Sequence, residues 1–426
     1  ELVRASCRCL PLPFQNTKAF PSIREYSRSV KCMRKLDLRL CTRVNTGKRQ
    51  SDKWHIVHDF RGLNAKVRVP ANPIPRKDEI FRRMGRGRLF GAMDLLWGFY
   101  QVKLQEDSIP YTAFATPDGL FEYLVTPMRI ASSPAAFNWL VQSIFADYSS
   151  FCQTYFDDMF VFTESDSFIE HLAAVERVLE RCEQEQLFVK IEKCQFCKTK
   201  IPCIDDLFGR DGVRMDPPKS RVIRDWPLPK PKCNLQSFLG TCVYVLRFCE
   251  GFAKLTAPLT ELTKRKRPNN PVVFTKTATS AFASLKKKLV APPTLAHPDF
   301  SQQFHVKADA FDFAVGCYLF QLDSSGVERV IAYGGRKLTR AELSYPTREK
   351  QLLAALVAMR TWKVYLIDSQ FYISTDHRTI ESLLQQQTCS QRLAWWLTEL
   401  ALFQPLFKWI HGSDNTAADA LSRRSD

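Results

Sequence analysis

The spacing of apolar side chains predicts a mixture of strands and helices. Apolar residues alternate with polar ones, or form short runs, in the segments predicted as strands: 54–63 with a turn at its end, 89–93, 100–104, 112–114, 120–125, 304–307, 315–321, 330–333 and 371–375. They recur every third or fourth residue in the segments predicted as helices: 78–84, 134–148, 168–186, 234–252, 278–289 and 347–366. The pattern predicts an α+β, multidomain protein.

Turn-forming residues predict where these elements connect and where domains divide. Asp118-Gly119 supplies the turn chemistry of a hairpin between 112–114 and 120–125. Five prolines between 217 and 231 mark a domain boundary. From about 304 onward, strands, a long helix and a further strand predict a mixed α/β domain, with Asp309 in the turn after its first strand. A length of 426 residues allows roughly two to four domains.

Composition indicates which class of partner the chain prefers. The chain has 61 Lys and Arg against 44 Asp and Glu, a formal net charge of +17, which favours an acidic polymer such as nucleic acid. The alternative is that the cations only keep the surface soluble. Clustering favours nucleic acid, because residues 254–290 contain many cations and one acid, Glu261. Residues 1–50 are also basic but have no clear apolar period, so no fold is predicted for them.

Cysteine usage predicts an intracellular protein. The 14 cysteines are scattered, mostly inside apolar runs, as expected of reduced thiols packed as small hydrophobic residues. Cys194, Cys197 and Cys203 have no fourth ligand at structural-zinc spacing, so reduced core thiols are favoured over zinc. No apolar run reaches about 18 residues, so no membrane association is predicted. Because residue 1 is Glu, we expect a fragment or a processed piece.

Acids from two separate segments of the chain have the placement that metal-dependent polymerisation requires. Asp94 follows one predicted strand, and the adjacent pair Asp157 and Asp158 lies between two apolar runs at 152–162. Nucleotide polymerisation uses two divalent ions, so acids from separate segments must meet at one point. The alternative is that a strand-end Asp caps a turn. That explanation suits a single Asp better than an acidic pair inside an aromatic hairpin.

At this point the chain resembles the reverse transcriptases of gypsy-type long-terminal-repeat retrotransposons. The resemblance covers about 51–424 and rests on motifs in the family's order: HDFRGLN at 58–64, MDLLWGFYQV at 93–102, YTAFATPDGLFEYLVTP at 111–127, SSPAAF at 132–137, YFDD at 155–158, LQSFLG at 235–240, APLTELTK at 257–264, HPDF at 297–300 and ADALSRR at 418–424.

The resemblance implies a right-hand polymerase (fingers, palm and thumb) followed by a ribonuclease H-like mixed α/β domain. The expected boundaries are a basic segment at 1–50, fingers and palm at 51–215, thumb and connecting helices at 216–295, and ribonuclease H at 296–426. The implied activity is RNA-directed DNA polymerisation, also DNA-templated, with degradation of RNA in RNA-DNA hybrids. The implied partners are an RNA template, a DNA primer, an RNA-DNA hybrid and dNTPs, with two Mg²⁺ per active site, or Mn²⁺. The implied location is cytoplasmic and particle-associated, with a nuclear phase.

The resemblance also implies roles for individual residues. Asp94, Asp157 and Asp158 match the polymerase acids, and Phe99 matches the aromatic residue that excludes a ribose 2′-hydroxyl. Lys48, Arg49 and Arg61 are candidate phosphate contacts. Asp309, Asp376 and Asp419 match three of the four ribonuclease H carboxylates, which hold two metal ions for hydrolysis.

Several positions depart from the family's pattern, including His55 and 95–97, and the two with the clearest consequences are Gln351 and Arg129. Gln351 replaces the fourth ribonuclease H carboxylate, and a neutral amide binds cations less well. Glu349 is a poor substitute, because two helical residues differ by about 200° around the axis. Arg129 replaces a glycine before SSPAAF. If that position has positive φ, an arginine is strained there; alternatively, Arg129 faces outward and binds phosphate.

Three hypotheses follow. The first is an enzyme that extends a DNA primer, with cleavage reduced by Gln351. The second is a decayed or co-opted remnant that binds nucleic acid without turnover, which Gln351 and Arg129 favour. The third, an intron-type or telomerase-like polymerase, is disfavoured by the C-terminal ribonuclease H pattern. No protease or integrase signature is recognised, and no oligomeric state is predicted.

Overall fold

A computed structural model describes residues 33–36, 44–45, 49–50, 53–54, 57–69, 71–116, 119–264, 267–310, 313–375 and 391–410. The chain divides into two compact units, 1–204 and 205–426. Within the described residues, none of the helices combines the length and apolar character needed to cross a membrane.

The described part of the first unit contains strands, α-helices and four 3₁₀ helices. Its strands are β1 (Met33–Leu36), β2 (Val44–Asn45), β3 (Arg49–Gln50), β4 (Lys53–Trp54), β5 (Val57–His58), β6 (Leu89–Asp94), β7 (Phe114–Thr116), β8 (Gly119–Tyr123), β9 (Cys152–Tyr155), β10 (Asp158–Thr163), β11 (Gln195–Lys198) and β12 (Lys200–Cys203). Its α-helices are α1 (Arg61–Asn64), α2 (Lys77–Met84), α3 (Ser133–Ile144) and α4 (Phe168–Gln184), and its 3₁₀ helices are Gly98–Gln101, Glu106–Thr112, Ala146–Tyr148 and Ile191–Lys193.

A four-stranded antiparallel sheet, in the order β11-β6-β10-β9, forms the centre of this unit. Met93 and Met159, on the two middle strands, are buried in one cluster with Val178 of α4. Full burial of each such side chain contributes about 1.5–3 kcal/mol, so helix packing fixes the position of both strands. Asp94 and Asp158 are Cα partners at the end of this pairing.

A second core lies beside the hairpin of β7 and β8, whose strands pair as predicted. The ring of His58 is 6% exposed and lies 4.0 Å from the Phe114 ring and 5.5 Å from the Tyr123 ring, measured between centroids. Among the described residues, Nδ1 of His58 has no hydrogen-bond partner. Burial lowers the pKa of His58 to about 4, so the imidazole is neutral at neutral pH.

Mild acid is therefore expected to destabilise the first unit through His58. Its folded pKa of about 4 lies below the unfolded value of 6.5, so the unfolded chain takes up a proton first. The contribution of neutral His58 is complete above pH 6.5 and is lost as the pH falls toward 4. At about pH 5 the loss is about 2 kcal/mol. His58→Phe should make the protection factors of the β7 and β8 amides, which are exchange rates corrected for the intrinsic effect of pH, less dependent on pH between these limits. An unchanged pH dependence in this variant would contradict the assignment.

The described part of the second unit begins with a hairpin and helices and continues into a larger sheet. Its strands are β13 (Asp206–Gly209), β14 (Gly212–Met215), β15 (Phe304–Ala310), β16 (Ala314–Leu322), β17 (Glu328–Lys337), β18 (Phe371–Thr375) and β19 (Leu406–Trp409). Its α-helices are α5 (Pro217–Asp225), α6 (Lys232–Tyr244), α7 (Phe252–Glu261), α8 (Lys276–Val290), α9 (Thr347–Thr361), α10 (Lys363–Leu366) and α11 (Gln391–Phe403), and its 3₁₀ helices are Leu246–Phe248 and Glu342–Ser344.

A five-stranded sheet, in the order β17-β16-β15-β18-β19, forms the core of this unit together with α9. Strand β15 is antiparallel to β16 and parallel to β18. Leu352, Leu356 and Met359 of α9 are completely buried in the same cluster as Val306 of β15. This packing places the first turns of α9 beside the end of β15, where Asp309 lies.

Most predicted elements are confirmed with shifted ends, but three predictions are wrong. Residues 100–104 are not a strand, because Trp97 and Gly98, with φ of 65° and 37°, turn the chain into a 3₁₀ helix. The helix predicted over 234–252 ends at Tyr244, and α7 starts only after Gly251, whose φ is 72°. Asp309 is not in a turn, because the pairing of β15 with β16 continues to Ala310.

Candidate active sites

Asp94 and Asp158 lie side by side because of strand register. Asp94 closes β6 and Asp158 opens β10, and the two are directly opposite. Residues opposite one another on antiparallel strands project to the same face, with Cβ atoms about 4.5–5.5 Å apart. Asp157 lies in the turn before β10 with its side chain exposed, and its carbonyl oxygen accepts the Leu95 N–H at 2.8 Å. The strands are therefore neighbours, as predicted. The metal-binding role of the three acids stays a prediction.

The turn that carries Asp157 has an unusual backbone. Phe156 has φ of 52°, in the left-handed region that non-glycine residues rarely adopt. Its N–H donates to the side-chain oxygen of Asn138 at 3.4 Å, and Asn138 is 1% exposed on α3. A Cβ added at Gly98 would lie 3.8 Å from the Cβ of Asp157, so the segment after Asp94 approaches the same turn. Backbone strain of this kind is frequent at functional sites.

Lys193 is a residue of this site that sequence reasoning missed. Its Nζ forms an ion pair with the Asp94 carboxylate. The hydrogen bond to Asp94 is the main cause that raises the pKa of Lys193, and the charges of Asp94, Asp157 and Asp158 add to it. Lys193 therefore neutralises part of the negative charge at the strand ends. No local pattern identifies it, because 99 residues separate it from Asp94.

Of the four candidate nucleotide-binding residues, the structure describes the side chains of two. Phe99 is half-buried, and its ring packs edge-to-face on Phe137 with 5.5 Å between centroids. Arg61 forms hydrogen bonds of 2.6–3.1 Å with Asp59, which lower the pKa of Asp59 to about 2. Arg49 belongs to β3, but its side chain lies outside the described residues, as does all of Lys48. Phosphate binding by these cations stays a prediction.

In the second unit, Asp309 and Gln351 form a buried hydrogen-bonded pair. Asp309 is 4% exposed and Gln351 is 3% exposed. Nε2 of Gln351 donates to Oδ1 of Asp309 at 2.9 Å and to the Ala310 carbonyl at 3.1 Å. The Ala310 N–H donates to Oε1 of Gln351 at 3.3 Å. Both amide hydrogens and the amide oxygen are thus used, which satisfies the buried amide.

The remaining ribonuclease H positions are only partly described. Asp376 and Asp419 lie outside the described residues. Glu349 is 9% exposed and accepts a hydrogen bond from Arg392 of α11, which confirms that it faces away from Asp309. Within the described parts of the chain, which include Asp94, Asp157 and Asp158 of the first unit, no three His, Cys, Asp or Glu side chains form a group that could hold a metal ion as they now lie.

Arg129 adopts the backbone conformation that makes its substitution for glycine unfavourable. Its φ is 76°, the positive value considered above for a position that favours glycine, and its side chain is exposed. Asn64 hydrogen-bonds both sides of this turn: Nδ2 donates to the Arg129 carbonyl at 2.9 Å, and Oδ1 accepts the Ala131 N–H at 2.8 Å. Sequence reasoning missed Asn64, although it ends the HDFRGLN motif.

Comparison with known families defines the class of this protein. Residues 46–219 match the family described as reverse transcriptase (RNA-dependent DNA polymerase). Residues 299–403 match the RNase H-like domain found in reverse transcriptase. The chain therefore joins a reverse transcriptase domain to an RNase H-like domain, as predicted.

Similar proteins identify the group within that class. The chain is 32% identical over 375 residues to the retrovirus-related Pol polyprotein from transposon 297 of Drosophila melanogaster, covering 88% of this chain and 34% of that protein. It is 30% identical over 376 residues to the transposon Tf2-3 polyprotein of Schizosaccharomyces pombe, covering 87% and 28%. The chain is therefore similar to retrotransposon Pol polyproteins, and it spans about a third of the length of such relatives.

Solved structures of the foamy viral protease-reverse transcriptase share the fold. The dRH form in complex with double-stranded DNA has a TM-score of 0.81 and 21% identity, over 95% of this chain and 73% of that one. The complex with an RNA/DNA hybrid has a TM-score of 0.80 and 21% identity, over 96% and 56%. At this identity the likeness concerns the fold alone.

Proposed function

We propose that this chain catalyses RNA-directed DNA synthesis and also copies DNA templates. The observation that carries the proposal is the position of Asp94 opposite Asp158, with Asp157 in the adjoining turn. The reverse transcriptase match over 46–219 supports it. Foamy viral protease-reverse transcriptase has been solved with double-stranded DNA and with an RNA/DNA hybrid. By extension, the partners of this chain are an RNA template, a DNA primer, their hybrid and dNTPs.

The polymerase acids fit divalent metal ions in their chemistry. Carboxylate oxygens are the ligands that Mg²⁺ prefers, and Mn²⁺ also accepts them. As they now lie, the three carboxylates do not form a group that could hold a metal ion, so Asp94, Asp157 and Asp158 would hold the ions, two to a site, once Lys193 leaves Asp94 and the side chains converge. When bound, such ions activate the primer 3′-hydroxyl and stabilise the leaving pyrophosphate.

The protein's own residues orient the substrates around these acids. Strand pairing fixes the backbone of Asp94 relative to Asp158, so carboxylates from two chain segments serve one reacting centre without rearrangement of the sheet. The contact with Phe137 restricts the ring of Phe99. A ring fixed in this way clashes with a ribose 2′-hydroxyl and leaves room for deoxyribose, which selects dNTPs.

Primer extension tests this proposal directly. The purified chain is given an RNA template, an annealed DNA primer, Mg²⁺ and dNTPs, and the primer is expected to lengthen. Chelation of the metal should stop extension, and rNTPs in place of dNTPs should support much less of it. Failure to extend the primer with either Mg²⁺ or Mn²⁺, by a chain that still binds the primer-template, would overturn the proposal.

A second function is favoured for the RNase H-like domain by the bonding of Gln351. The amide donates to Asp309 and to the Ala310 carbonyl, where a metal site requires negative oxygen ligands. The domain then binds RNA-DNA hybrids and cleaves them slowly or not at all. The polymerase half is the better preserved of the two, because its three acids are present.

A further inference from the structure

Arg129 is exposed on a turn whose shape is set by other residues. The left-handed backbone at Arg129, with φ of 76°, is unfavourable for a non-glycine residue because its Cβ comes too close to the backbone. The two hydrogen bonds that the Asn64 side chain makes with the backbone on either side, of 2.9 and 2.8 Å, offset part of this cost. The position of the arginine is therefore defined by backbone contacts and does not depend on its own side chain.

The guanidinium of Arg129 is available for an external ligand. The side chain is exposed, and it makes no hydrogen bond, ion pair or cation-π contact within the described residues. This distinguishes it from Arg61, which binds Asp59, and from Arg88, which pairs with Asp166. An unpaired guanidinium is suited to phosphate, which it can bind through two parallel N–H donors.

The turn is also linked to the polymerase site through one helix. It leads directly into α3, and Ser133 at the start of α3 donates to the Pro127 carbonyl at 3.1 Å. The second turn of the same helix carries Phe137, which contacts Phe99, and Asn138, which contacts the backbone of Phe156. Helix α3 thus connects the Arg129 turn both to the ring of Phe99 and to the turn that carries Asp157.

From these observations we infer that Arg129 binds a phosphate of the nucleic acid substrate, specifically a backbone phosphate of the strand that passes the polymerase acids. This rests on the proposed function, because it requires nucleic acid at that site. The replacement of glycine by arginine then adds a contact with phosphate, and it also introduces backbone strain. Neutralising one phosphate changes the salt dependence of binding by about 0.9 in the slope of log affinity against log salt concentration.

The experiment measures binding without turnover. A fluorescent RNA-DNA primer-template is titrated with the full chain in chelator, from about 50 to about 200 mM salt. The variants are Arg129→Gln, which removes the charge, Arg129→Lys, which keeps it, and Arg129→Gly, which removes both charge and strain. Arg86→Gln is the matched control, because Arg86 is also exposed and has no contact among the described residues.

Arg129→Gln and Arg129→Gly are expected to lower the salt slope by about one, while Arg129→Lys and Arg86→Gln leave it near the wild-type value. Over that salt range the wild-type affinity should fall about threefold more than that of Arg129→Gln. Arg129→Gly should also raise the melting temperature.

A KM for dNTPs that rises in Arg129→Gln, with an unchanged slope, would overturn the inference by showing that the phosphate belongs to the triphosphate. A slope and a KM that both stay unchanged, with only the melting temperature of Arg129→Gly raised, would also overturn it. A wild-type chain that binds no primer-template would contradict the proposed function itself.

Discussion

Replacement of Asp157 by Asn is expected to slow primer extension by on the order of a thousandfold, the equivalent of about 4 kcal/mol of transition-state stabilisation. Asparagine has nearly the same shape but carries no negative charge, so the ions that activate the 3′-hydroxyl lose a charged ligand. The fold should be unaffected, because the side chain is exposed and the contact with Leu95 uses the backbone carbonyl.

Asp166→Asn is the matched control for this loss. Asp166 is an exposed carboxylate in the same unit and pairs with Arg88 at 3.1 Å, at the opposite end of the β6–β10 pair from Asp94 and Asp158. Single-nucleotide extension should proceed at the wild-type rate in this variant, and primer-template binding in chelator should be similar in both variants. An Asp157→Asn enzyme within about tenfold of wild type, which corresponds to less than about 1.4 kcal/mol, would mean that the reacting centre lies elsewhere.

Replacement of Gln351 by Glu is expected to increase cleavage of an RNA-DNA hybrid by about a hundredfold or more. A metal ligand is worth several kcal/mol at a developing charge, and about 2.7 kcal/mol corresponds to a hundredfold in rate. In the wild-type chain the amide at this position donates a hydrogen bond to Oδ1 of Asp309, where a cation would otherwise bind. Glutamate restores a fourth acid and removes that donor.

The same substitution should make the stability of the RNase H-like domain depend on metal. The introduced carboxylate would lie beside the buried carboxylate of Asp309. It would also face the Ala310 carbonyl, which now accepts a hydrogen bond from Gln351. Two buried charges of the same sign are unfavourable by several kcal/mol when no cation compensates them, so the melting temperature should fall in chelator and recover with Mg²⁺. Equal cleavage by the wild-type and Gln351→Glu chains would refute this account of the site.

Two further variants, one at this position and one at Glu349, separate the effects of charge and packing. Gln351→Met keeps the approximate volume but has neither donor nor charge, so it should lose stability without recovery in Mg²⁺. Glu349→Gln removes a carboxylate that binds Arg392, so it should leave the cleavage rates of both the wild-type and Gln351→Glu chains unchanged.

The sequence by itself determined the elements whose signals are local. The acidic pair in a hairpin, the long helix over 168–184 and the Asp-Gly hairpin all follow from apolar periods and turn chemistry. The opposite directions of Gln351 and Glu349 follow from the angle between helical residues alone. These features depend on residues a few positions apart, which is why a single sequence is enough to predict them.

The tertiary structure decided what depends on residues far apart in the chain. Lys193 reaches Asp94 only because β11 pairs with β6. Residues 98–101 form a 3₁₀ helix because the backbone turns at Trp97 and the Gln101 side chain bonds to Phe188. Gln351 could be recognised from the sequence as a missing carboxylate. Its amide forms hydrogen bonds with Asp309 and with both backbone groups of Ala310 only because α9 packs against the end of β15, a contact between distant segments that no local period encodes.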